Sequence, residues 1–290
     1  MGKIIFNLFK KAAYTLRGRH LNRFNFVRTA LNFLLRNLKP ESVTVFGNHM
    51  FLDKGDSMRL SILGLYEPLA VKHFQEMIKP GDTVLDIGAH IGYYTLMAAK
   101  RVGKKGKVFA FEPDKDNLFI LNKNISMNGY KNVVVVNKAV ASSTKKVKFL
   151  LNSLSTGMHS IIDLGFGSKN SIIVDTISLD DFFGKNPPQI SVIKMDIEGG
   201  EYGALQGMRR LLRKSKHLTL FTEFSPYSIK KAKKSPRGFL NFLKHFGFKL
   251  YSIEESKNLL IPIKVNNFLS SCPMDRDWHV NLMATKLLLK

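Results

Sequence analysis

From residue 43 onward the chain alternates between two hydrophobic periods. Compact runs rich in Val, Ile, Leu and Phe at 83–88, 107–112, 132–137, 190–196, 217–223, 248–253 and 279–285 predict strands. Helical spacing fills 92–101, 115–127, 201–214 and 236–246, and two more strand-like runs, 146–151 and 171–176, flank a Gly/Ser-rich loop over 152–169. Strands alternating with helices predict a parallel sheet crossed by helices on both faces. The first 42 residues read differently. Ile5, Phe9, Ala12 and Leu16, then Val27, Leu31, Leu34 and Leu38, fall at helical spacing around Gly18 and stop at Pro40, which predicts two short amphipathic helices. The expected organisation is therefore a helical extension over 1–42 and one catalytic domain over 43–290.

Composition narrows the class. With 44% hydrophobic and 23% charged residues the 290-residue chain is globular in balance, and no apolar run approaches the roughly 20 residues that span a bilayer. The single cysteine, Cys272, cannot make an internal disulfide, so the expected location is cytoplasmic. The net charge of +23 is unevenly placed: residues 1–40 hold nine Lys or Arg and no acid, 41–200 hold 19 basic and 16 acidic side chains, and 201–290 hold 17 and 6. The middle is nearly neutral. The basic arm suits a peripheral contact with an anionic membrane face, and the cluster Lys230, Lys231, Lys233, Lys234 and Arg237 suits an anionic acceptor; either could equally be a solvated surface.

Ligands of an open parallel sheet bind beyond the carboxyl ends of its strands. That rule selects the turn Asp86-Ile87-Gly88-Ala89-His90-Ile91-Gly92, then Glu112, Ala139 and Val140, Asp196 to Gly199, and Glu223. Gly88 and Gly92 are spaced too far apart for the G-x-G-x-x-G turn that cradles a dinucleotide pyrophosphate, which disfavours a nicotinamide-dependent dehydrogenase. Glu112, 20 residues past Gly92, stands where an acid accepts hydrogen bonds from ribose hydroxyls, so the pair implies a nucleoside-containing cofactor.

Three blocks, Thr83-Val84-Leu85-Asp86-Ile87-Gly88-Ala89-His90-Ile91-Gly92, Val108-Phe109-Ala110-Phe111-Glu112-Pro113 and Val192-Ile193-Lys194-Met195-Asp196-Ile197-Glu198-Gly199-Gly200-Glu201, together with the lead-in Gly64-Leu65-Tyr66-Glu67-Pro68, resemble the FkbM-type family of S-adenosylmethionine-dependent methyltransferases. The resemblance implies an α/β, Rossmann-like, seven-stranded class I methyltransferase sheet with its last strand antiparallel, and O-methylation of a hydroxyl on a sugar, glycan, glycolipid or small molecule. It implies that Asp86, Gly88, Ala89, His90 and Gly92 line the methionine and ribose side of S-adenosyl-L-methionine, that Glu112 holds the ribose, and that Ala139 faces the adenine. His90 departs from the family's commoner Asn.

Strand alternation puts Asp196 and Glu198 on one face. A hydroxyl must lose its proton to attack a sulfonium methyl, so Glu198 is a candidate general base and Asp196 a group that holds the cofactor or orients the substrate. Glu198 and Glu201 could instead cap the following helix, since acids favour helix N-termini. Glu223 at the next strand end and His159 in the Gly/Ser-rich loop are further catalytic candidates, and no His-rich constellation suggests a metal. Ribose 2′-O methylation of RNA is the alternative that Lys194, Asp196, Glu223 and the basic ends keep open. Base methylation fits less well, because the place of an Asn/Asp-Pro-Pro-Tyr turn holds Asp196-Ile197-Glu198-Gly199 and Cys272 lies far along the chain. An adaptor that has lost catalysis is disfavoured, because every expected cofactor position is filled.

Overall fold

The computed structural model describes residues 37–152, 155–165, 170–275 and 278–287. The amphipathic helices expected in the N-terminal arm fall almost wholly on 1–36, outside the described residues. A hairpin of β1 (Ser42–Val45) and β2 (Asn48–Phe51) precedes β3 (Thr83–Ile87), β4 (Lys107–Phe111) and β5 (Val133–Val136). A small second layer of β6 (Ala139–Val140), β7 (Lys146–Leu151) and β8 (Asn170–Ile177) follows. Next come β9 (Val192–Met195), β10 (Thr219–Phe224), β11 (Lys249–Glu254), β12 (Leu259–Pro262) and β13 (Val280–Thr285).

The main sheet has the order β12-β11-β13-β10-β9-β3-β4-β5. Neighbours from β10 through β9, β3 and β4 to β5 are parallel, and β13 runs antiparallel between β10 and β11. The expected seven strands are present with the last one reversed. An eighth, β12, continues the sheet edge because Asn258, at φ +53°, turns the chain back on β11. Strand order reverses between β3 and β9, which is where a ligand crevice opens in such sheets.

Both faces of the sheet are covered, so the central strands read as unbroken apolar runs. One core holds Val84, Phe74, Leu96, Phe221 and Met283 beneath the helices Pro68–Met77 and Tyr93–Val102; the other holds Ile87, Ile193, Met195, Leu205 and Phe239 beneath Glu201–Gln206 and Pro236–His245. Helix starts are set locally. Asp114 accepts the Asp116 and Asn117 amides, while Ser225 and Ser235 cap helices whose first residue is proline.

The helix expected over 201–214 is broken into Glu201–Gln206 and Arg209–Lys214. A Cβ at Gly207 would sit 2.2 Å from the Ala141 carbonyl oxygen, so the chain leaving β6 passes where a continuous helix would carry a side chain. The Asp180 carboxylate, from another segment, then accepts the Arg210 and Leu211 amides and caps the second piece. No helix among the described residues is long and apolar enough to cross a membrane.

Candidate active site

The sheet register assembles the site. Asp86 on β3 pairs with Lys194 on β9, which pairs with Phe221 on β10, and two-residue alternation carries that face forward to Asp196 and Glu223. A cavity of about 360 Å3 opens there; its wall includes Asp86, Gly88, Tyr66, Lys194, Asp196, Glu198 and Glu223, with His279 among the lining residues. A narrower lobe of about 50 Å3 adjoins it across Gly88, His90, Gly157 and Asp196, lined by Glu112, Asn117, Ala139 and His159 with an apolar wall of Phe111, Val140, Phe149 and Ile161.

The turn after β3 requires glycine at one point above all. Gly88 has φ +82°, and a Cβ there would lie 2.0 Å from the Asp196 carbonyl oxygen, so the ends of β3 and β9 meet only because the side chain is absent. The Gly88 and Ala89 amides both donate to the Phe111 carbonyl, which ties this turn to the end of β4. His90, at φ +50°, donates its backbone amide to Glu112 Oε2 (2.8 Å), and its Nε2 bonds Thr156 Oγ1 (2.8 Å) in the loop that crosses between the lobes. Gly92 is the one expected cofactor residue absent from the cavity wall. It lies behind the wall, where a Cβ would meet Leu121 Cδ1 at 2.7 Å.

Glu112 is buried with both oxygens engaged, Oε2 by His90 and Oε1 by the Asp114 amide at 2.8 Å. Burial pushes its pKa up to about 7. A carboxylate offers about four lone-pair sites, and the Asn117 side chain also bonds this one, so one remains for a hydroxyl donor. An apolar slot ending in a carboxylate with a free lone pair fits a nucleoside, the ring against Phe111, Val140, Phe149 and Ile161 and the ribose on Glu112.

In the larger lobe Lys194 is buried within an otherwise apolar strand. Its Nζ lies 3.2 Å from Asp196 Oδ2 and 5.0 Å from the Tyr94 ring centre. Burial alone would favour the neutral amine, but Asp196, then Glu67, reverse that and hold the pKa above its ordinary value. Glu198 sits at φ +50°, a costly conformation for a residue with a Cβ, and its carbonyl accepts the Ser160 hydroxyl at 2.6 Å. Burial, then the charge of Asp196, pushes the Glu198 pKa up to about 8; the same two causes raise Glu223 well above the carboxylate range.

Neither Glu198 nor Glu223 has a side-chain hydrogen bond among the described residues, whereas Glu201 Oε1 accepts the Ile197 amide at 3.0 Å. The helix Glu201–Gln206 starts at Gly200 with no side-chain cap, so neither acid caps it: Glu201 holds the turn before the helix, and Glu198 lines the cavity. His159 lies in the smaller lobe, its Nδ1 accepting the Asn152 amide at 2.9 Å and its ring edge-on to Phe149. The structure does not bring it to the wall that holds Glu198 and Glu223. Two residues gain prominence. Lys194 was legible as a lone charge in a buried strand, and Tyr66 only as part of the lead-in motif.

Residues 86–250 match the Methyltransferase FkbM domain. This chain belongs to that family. Its fold is the class I, Rossmann-like fold of S-adenosylmethionine-dependent methyltransferases. Among curated relatives it is 28% identical over 140 residues to the hexuronic acid methyltransferase AglP of Haloferax volcanii, covering 48% of this chain and 54% of that protein. It is 39% identical over 59 residues to protein-L-isoaspartate O-methyltransferase 1 of Archaeoglobus fulgidus, covering 20% and 27%. The chain thus spans about half or less of the curated relatives it matches. A solved methyltransferase FkbM from Methylobacillus flagellatus KT aligns with 78% of this chain and 52% of its own, at 18% identity and TM-score 0.43.

Proposed function

We propose that the enzyme methylates a hydroxyl oxygen of a sugar, glycan or glycolipid. What supports this reading above all is the pair of unpartnered carboxyls, Glu198 and Glu223, on one wall beside the Gly88 turn. The relative AglP, a hexuronic acid methyltransferase, points to sugar as well. When bound, S-adenosylmethionine supplies an electrophilic methyl group. Glu112 holds a ribose hydroxyl, Ala139 and the apolar slot hold the adenine, and Asp86, Gly88, Ala89 and His90 border the methionine portion. His159 is part of the adenosine wall in this reading.

Glu198 takes the proton of the acceptor hydroxyl. Its raised pKa matches that task, because a base of pKa near 8 drives proton removal better than an ordinary carboxylate, and its ionised fraction grows as pH rises toward 8. Asp196 is tied to Lys194 at 3.2 Å beside that carboxyl. Glu223 stays protonated and can donate a hydrogen bond to the acceptor.

A second reading, ribose 2′-O methylation of RNA, is favoured by the Lys194–Asp196 pair sharing a cavity with Glu223. Labelled S-adenosylmethionine offered to glycolipid, soluble glycan and bulk RNA fractions separates the two. Label in the carbohydrate fractions is the expected result, and label confined to RNA rejects the sugar reading.

A further inference from the structure

Tyr66 is fastened at its backbone and free at its hydroxyl. Its amide donates to Tyr93 Oη at 3.1 Å, and Tyr93 Oη donates back to the Tyr66 carbonyl at 2.9 Å, so one phenol clamps both sides of the residue. The two rings pack edge to face, with centres 6.3 Å apart. The next residue is held as firmly: Glu67 accepts Tyr94 Oη at 2.9 Å and Asn281 Nδ2 at 2.7 Å, which ties the segment to the helix after β3 and to β13.

All these bonds leave the Tyr66 hydroxyl out. It has no hydrogen-bond partner among the described residues, and it lines the larger lobe, in the field of Glu67 first and then of Asp196, Glu223 and Glu198. Burial and those carboxylates raise its pKa, so the phenol stays protonated and offers its proton to an oxygen lone pair. A polar group fixed this rigidly and left unsatisfied in a cavity has the character of a ligand-reading group.

We infer that Tyr66 is an acceptor-binding residue, and that it and Glu198 together read a vicinal diol. Glu198 accepts from the hydroxyl that is methylated, and Tyr66 donates to the oxygen of the adjacent hydroxyl. A neutral phenol and a carboxylate lining one cavity are complementary to neighbouring oxygens that present one proton and one lone pair, as on a sugar ring. This rests on the sugar reading above and narrows it to acceptors with a free hydroxyl next to the methylated one.

The test is Tyr66→Phe, which keeps the ring and the backbone clamp and removes one oxygen. Protein saturated with S-adenosylhomocysteine is titrated calorimetrically with a panel of methyl hexosides and methyl hexuronides and their monodeoxy analogues. Loss of one neutral hydrogen bond predicts about three- to tenfold weaker glycoside binding. The affinity for S-adenosylhomocysteine should stay within about twofold. For wild-type protein, the analogue lacking the adjacent hydroxyl should show the same loss, and Tyr66→Phe should no longer distinguish it from the parent glycoside.

A glycoside bound equally by both proteins overturns the proposal and leaves the sugar reading standing. So does a variant that loses S-adenosylhomocysteine affinity as much as glycoside affinity, which would move Tyr66 to the cofactor. Wild-type protein that binds no glycoside on the panel but does bind RNA overturns both.

Discussion

At the scale of single residues the chemistry turns on carboxyls whose pKa burial raises. Glu198→Gln preserves size and removes the base, so turnover should fall by about 10²-fold or more while S-adenosylhomocysteine affinity changes little; near-normal turnover would reject the base. With a pKa of about 8 in the free protein, Glu198 is ionised only as pH rises. The kcat/KM profile should therefore climb through a limb near pH 8 that Glu198→Gln abolishes. The same shifts act on stability with the opposite sense. Glu112, Glu198 and Glu201, raised to about 7, 8 and 7, bind more protons folded than unfolded between their unfolded values and those pKa values. Stability is then greatest at the acid side of that window and falls as pH rises through it, so the ligand-free Tm should drop between pH 5.5 and 8.5. A Tm that rises across that range would show these groups to be ionised in the native protein.

At the scale of elements the site depends on two strand-end turns and the loop laid over them. The turns were legible, because an apolar strand running into Asp-Ile-Gly or Asp-Ile-Glu-Gly is a local pattern, and their order along the chain sufficed for the parallel sheet. The loop was not. Thr156 carries no signal of its own, and its bond to His90 spans 66 residues, a contact only the fold creates. Nor could periodicity decide whether Glu198 serves the cavity or the following helix: the left-handed turn at Glu198 and Gly199 separates it from the helix, which starts at Gly200 with no side-chain cap. The Thr156–His90 bond predicts a gate. Thr156→Val should speed both association and dissociation of S-adenosylhomocysteine, followed by the fluorescence of Trp278, which adjoins His279 on the cavity lining. Unchanged rates would mean that the loop opens without breaking this contact.

At the scale of the molecule, what needs explaining is a net charge of +23 on an enzyme whose reactive cavity is lined by acids. The two signs sit in different places: the carboxyls stand on the wall of the cavity, while the excess of Lys and Arg belongs to residues 1–40 and to the C-terminal third. Lys230 and Lys231 end the helix Pro226–Lys231 that leaves β10 at the cavity, and exposed Lys233 and Lys234 follow it. An acid-lined pocket repels an anionic reacting group but not a neutral hydroxyl whose phosphate or carboxylate remains outside. The two basic regions should therefore be separable.

Lys233→Glu with Lys234→Glu should raise the KM of a charged acceptor and leave that of its uncharged counterpart unchanged. Vesicle binding should instead follow the arm. Replacing Arg17, Arg19, Arg23 and Arg28 by Gln removes four charges, each contributing about 1 kcal/mol at an anionic surface. Co-sedimentation with phosphatidylserine-containing vesicles should then weaken by on the order of a hundredfold or more, without change in KM for a soluble acceptor. The wild-type interaction should fade as salt shortens the Debye length. Equal binding to neutral vesicles, or loss of vesicle binding on reversing Lys233 and Lys234, would show that the arm is not the docking element and that the charge acts as a single field.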